Sequence, residues 1–126
     1  MKRKILMLTL AIITVISATA QRHGGKVIED SLKSAAEVER SFVHLKLAGV
    51  FERIGGLILG KHELFDHQGT GRKPYDILLE VMGKPAFPVL AEFDCCHTHP
   101  MLTVPIGAEV LLDADAQTVT ILKESL

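Results

Sequence analysis

The chain has 126 residues, 48% of them apolar, enough for one domain with a real core and no need of staples. Formal charge is −1, and leaving out residues 1–20 it is −4, from 11 Lys+Arg against 15 Asp+Glu. With no tryptophan and no basic run beyond Lys2-Arg3-Lys4, this excludes a nucleic-acid surface built on charge and base stacking.

Residues 1–20, MKRKILMLTLAIITVISATA, combine a basic start, an apolar run over 5–16 and Ala18-Thr19-Ala20 before Gln21. That pattern matches a secretory signal, and the run is too short to span a bilayer comfortably. Its β-branched content also suits a buried strand. We therefore treat residues 1–24 as a separate apolar segment and 25–126 as the folded domain.

KVIED (26–30) reads as a short buried strand ending in two acids. Ser34-Ala35-Ala36-Glu37 is a capping-box pattern, and the spacing of Val38, Phe42, Leu45 and Gly49 predicts a helix to about Val50. GGLILG (55–60) is a buried strand with glycine at both ends, followed by a polar loop over 61–73. Pro74 starts a second helix that Gly83 ends. PVLAEF (88–93) is a third buried strand, and residues 109–124 form a hairpin around an Asp-Ala-Asp-Ala turn. Strands alternating with helices predict an α/β domain with a mainly parallel sheet.

In such sheets functional groups gather at the carboxyl ends of the strands. Those ends carry Glu29-Asp30, Gly60-Lys61-His62-Glu63 and the segment Asp94-Cys95-Cys96-His97-Thr98-His99. Three chemistries compete for them. A zinc site would use His97 and His99, two apart on an extended segment, with His62 or Glu63. A thiol nucleophile would pair Cys95 with His97 on one face, although Glu92 and Asp94 disfavour a thiolate. The adjacent cysteines suggest no structural disulfide. Finally, His97 would serve as general base, oriented by Glu29, a charge needing a partner at the end of an apolar strand. Glu29 and Asp30 as mere loop caps stand level with that reading on these grounds.

VIEDSLKSAAEVERSFVHLKLAGVFERIGGLILGKHELFD, GTGRKPYDILLEVMG and FPVLAEFDCCHTHPMLTVPIGAEVLLDA, in that order, resemble the C-terminal domain of the LD-carboxypeptidase family. These serine peptidases include muramoyl-tetrapeptide carboxypeptidases and microcin C self-immunity peptidases. GKHE and CCHTHP look most like the immunity-type branch. The resemblance covers residues 25–124 and implies a Ser-Glu-His triad split over two domains. The "ED" glutamate matches Glu29, and the "CH" histidine matches His97. It makes Lys61, His62 and Glu63 expected substrate-binding residues and calls for no cofactor or metal.

The family's nucleophile lies on a Gly-x-Ser-Asp turn in an N-terminal domain. Serines occur here only at 17, 31, 34, 41 and 125, none in such a turn. The resemblance thus implies half of a peptidase for murein peptides or peptidyl-nucleotide antibiotics, inactive alone; a binding or assembly module keeping only the fold is the alternative. It favours a truncated, cytoplasmic product over an exported one. The expected partners are a small peptide-like substrate and either a second copy or the N-terminal domain, with no stable membrane insertion.

Overall fold

A computed structural model describes residues 24–123; the signal-like segment at 1–20 lies outside them. In chain order the elements are β1 (Lys26–Ile28), α1 (Ala35–Leu47), β2 (Leu57–Gly60), α2 (Pro74–Met82), β3 (Val89–Phe93), β4 (Glu109–Asp113) and β5 (Thr118–Lys123). β1, β2 and β3 form a parallel sheet in that order, and β4 and β5 form a separate antiparallel pair. No helix among the described residues is long and apolar enough to cross a membrane.

The capping box at the start of α1 is formed. Ser34 Oγ accepts from the Glu37 amide at 3.4 Å, and Glu37 Oε2 accepts from the Ser34 amide at 2.9 Å. The helix ends three residues before the expected Val50. Gly49 takes φ 68°, its amide bonds the Lys46 carbonyl, and the Val50 amide bonds the Leu45 carbonyl. That is a Schellman motif, in which a left-handed glycine caps carbonyls the helix leaves open. α2 starts with Pro74 at its first position and ends at Gly83, φ 76°.

Ala35, Val38 and Phe42 of α1 and Ile77, Leu78 and Val81 of α2 cluster with Leu57 and Leu59 of β2. Strand residues alternate between faces, so both helices lie against the Leu57/Leu59 face and Gly60 faces the other way. On β1 the expectation of a buried strand fails. Lys26 and Val27 are exposed, because among the described residues β1 pairs only with β2 and forms the sheet edge. β3 is buried only at Val89 and Leu90.

β2 and β3 do not stay in step. Ile58 pairs with Leu90 but Gly60 with Phe93, so β3 carries one extra residue there. Glu92 takes φ 59° at this bulge. Bulges bend a strand and re-aim the residues beyond it, here the Cys95–His97 stretch.

Phe42 is 1% exposed at the centre of the cluster. Phe42→Ala is expected to destabilise the domain by about 3–5 kcal/mol through lost burial and a residual cavity, measured by urea unfolding.

Candidate active site

Glu29 is the first residue beyond β1, and its side chain is only 6% exposed. His97 lies four residues beyond β3 and is 67% exposed. Although 68 residues apart, they meet: His97 Nδ1 is 3.0 Å from Glu29 Oε2. An ionised carboxylate only accepts, so Nδ1 carries the hydrogen and Nε2 of the neutral ring keeps its lone pair. The other carboxylate oxygen, Oε1, accepts from Ser31 Oγ at 2.5 Å.

Burial is the largest single influence on the Glu29 carboxyl and works to raise its pKa. The Ser31 and His97 hydrogen bonds, the His97 charge and the Cys96 thiol together outweigh it and hold the group below its ordinary 4.5.

Gly60, the last residue of β2, lies beneath the pair. A Cβ there would sit 2.7 Å from Cys95 Sγ and 3.0 Å from Glu29 Cβ. The bare backbone is what lets the Glu29 stem and the Cys95 sulfur occupy one crowded spot. The loop after β1 is in turn laced to the loop after β2. The Leu32 amide bonds the Glu63 carbonyl at 2.9 Å, Ala35 bonds Asp66 at 2.8 Å, and Asp66 bonds Lys33 at 3.0 Å.

The residues 94–100 are not the extended segment expected. Cys96 takes φ 65° within a turn, so alternation fails: Cys95 is buried, whereas Cys96, His97 and His99 are exposed. Burial, a hydrogen bond with Cys96 and nearby negative charge push the Cys95 thiol up to about 12. That favours the protonated thiol, and with Cys95 buried and His97 exposed the expected pairing of the two on one face is not formed. The proposed zinc ligands are not brought together either; no group of three metal-ligating side chains forms among the described residues.

Of the other expected site residues, Lys61 forms an ion pair with Asp94 that ties the loop after β2 to the end of β3. His62 is buried, with Nδ1 3.0 Å from the Gly60 carbonyl oxygen and its ring edge-on to Phe42. Glu63 is half-buried. All three line a cavity of about 350 Å³ together with Arg72, Glu92 and Thr98. Gly60 was read only as the glycine closing a buried strand, and its contact with Glu29 and Cys95 was not foreseen. Ser31 escaped the sequence reading, its only signal being its proximity to Glu29.

A sequence model of the LD-carboxypeptidase C-terminal domain matches residues 9–112. The chain belongs to this family. A Vibrio cholerae protein named as a carboxypeptidase is 55% identical over 92 residues, covering 73% of this chain and 28% of that protein. The microcin C7 self-immunity protein MccF of Escherichia coli is 50% identical over 99 residues, covering 79% and 29%. The wild-type apo structure of MccF superposes with a TM-score of 0.75 over 80% of this chain and 30% of that one. MccF structures also exist with glutamyl sulfamoyl guanosine and aspartyl sulfamoyl adenosine. This LD-carboxypeptidase C-terminal domain therefore spans under a third of the relatives it matches.

Packing at Gly60 and charge at Glu29 each give a measurable outcome. Gly60→Ala is expected to destabilise the domain by roughly 1–3 kcal/mol and to shift the Glu29 and His97 side-chain resonances, read by urea unfolding and NMR. Because the folded-state pKa of Glu29 is depressed, its charge contributes stability above 4.5 that is lost as pH falls through the folded value. Below pH 4.5 the wild type should lose stability relative to Glu29→Gln in urea titrations at stepped pH; a constant difference would refute the assignment.

Proposed function

We propose that this domain supplies the glutamate and histidine of a Ser-Glu-His peptidase and acts on the acyl-nitrogen bond of a small peptide-like substrate. The Glu29–His97 contact carries the reading. His97 Nε2 takes the proton of an attacking hydroxyl, Glu29 stabilises the resulting imidazolium, and the proton then passes to the leaving nitrogen. Water repeats the sequence to release the acyl group.

None of the three described serines supports a role as that hydroxyl. Ser31 Oγ bonds Glu29, Ser34 Oγ bonds Glu37 Oε2, and Ser41 Oγ bonds the Glu37 carbonyl. In this reading the nucleophile arrives on a second domain, as the family resemblance implies. Exposed Leu32, Leu64, Met101 and Leu102, on the loops after β1, β2 and β3, favour such a cover over a solitary module. Lys61, His62 and Glu63 would contact the substrate at the cavity they line. Of the two expected substrate classes, the ligands named for MccF support the nucleotide-linked one, whereas murein peptides rest on the family resemblance alone.

The 126-residue chain alone is expected to release no aspartate from aspartyl sulfamoyl adenosine. Fused to, or mixed with, the N-terminal portion of MccF, it should restore release, and His97→Ala should then lower the rate by on the order of 10⁴-fold or more. Hydrolysis by the isolated chain, or a reconstituted rate insensitive to His97→Ala, would overturn the proposal.

A further inference from the structure

We infer that Ser31 is a positioning residue for the Glu29–His97 pair: its hydroxyl clamps Glu29 Oε1 so that Oε2 stays aimed at His97 Nδ1. The inference deepens the proposed function and rests on it. A carboxylate held through one oxygen is free to pivot about its Cγ–Cδ bond, and each pivot spoils the donor angle at the other oxygen. Here each oxygen has its own donor, Ser31 Oγ at 2.5 Å and His97 Nδ1 at 3.0 Å.

The backbone holds Ser31 to this task. Leu32 takes φ 58°, turning the chain back immediately after Ser31, and its amide is fixed by the Glu63 carbonyl at 2.9 Å. The loop after β2 therefore acts on the site through Ser31 as well as through the cavity it lines. Ser31 donates to an acid and is not hydrogen-bonded to the imidazole, so it orients the general base's partner and does not attack substrate.

The test uses the whole chain, labelled for NMR, with two readouts. In Ser31→Ala the Glu29 carboxyl titration should move up by about one pH unit, Ser31→Thr should return it toward the wild-type value, and Ser31→Cys should fall between them. Ser31→Cys preserves size, and decides the matter if Ser31→Ala does not fold. In its neutral form the His97 ring should favour the Nδ1–H tautomer in the wild type, and lose that preference in Glu29→Gln and partly in Ser31→Ala. Absence of the preference in the wild type counts against the Glu29–His97 reading. An unmoved Glu29 titration in Ser31→Ala or Ser31→Cys, with the wild-type preference intact, removes the Ser31 role alone.

Discussion

The carboxylate of Glu29 sits almost wholly out of solvent, and that is a demanding place for a negative charge. A buried polar group without partners costs several kcal/mol, and a bare charge far more. Glu29 meets the demand with donors from two separated stretches: Ser31 two residues on, and His97 beyond the third parallel strand. Their combined pull exceeds the burial penalty, since the carboxyl remains more acidic than in water. A site in which burial outweighed the hydrogen bonds would leave the acid easier to protonate, and a protonated acid could no longer hold the Nδ1–H tautomer in the same way. Here the donors decide the outcome.

Much of the surrounding architecture serves to bring those donors together. Gly60 withholds a side chain where one would collide with Glu29 and Cys95, so the ends of β1 and β3 close over β2. The extra residue at Glu92 changes the register of β3 before it delivers the turn holding His97. Backbone hydrogen bonds between residues 32–35 and 63–66 fix the first loop to the second, and the Lys61–Asp94 ion pair joins the second to the third. Sites supported by rigid elements and by a surrounding shell of contacts keep their geometry better than sites on free loops. In this domain all three loops at the carboxyl ends are tied to one another.

What the sequence disclosed divides along the range of the interactions involved. The start of α1 at Ser34 and the bounds of α2 between Pro74 and Gly83 depend on contacts three or four residues apart, and both were legible. So was the C-terminal hairpin, although its turn lies at 114–117, one residue later than the Asp-Ala-Asp-Ala stretch at 113–116. The exposure of β1 was not, because KVI has the composition of a buried strand and only the sheet order makes it an edge. The reading of CCHTHP as extended failed for a similar reason. The left-handed residue Cys96 sits in a turn whose flanks are held elsewhere, by the Cys95 amide on Phe93 and the Leu102 amide on Asp94. Glu29 and His97 were found through motif resemblance and the cost of an unpaired acid. Ser31 was given no role, since nothing local distinguishes a loop serine from one whose hydroxyl meets a carboxylate.

The distribution of contacts also bears on how a triad divided between domains would work. The observed donors to the Glu29 oxygens come from this domain, and the tautomer of His97 follows from Glu29 alone. In the proposed reading a covering domain would have no part in building the acid–imidazole pair and would present its hydroxyl to Nε2. The imidazole, 67% exposed here, is the member of the pair still open to solvent. Covering it would remove water from the Nδ1–Oε2 hydrogen bond and strengthen it, because electrostatic attraction grows as the local dielectric falls. In the proposed reaction the same contact that brings the nucleophile would thus tighten the hold of Glu29 on the imidazole, while leaving the orientation already set by Glu29 unchanged.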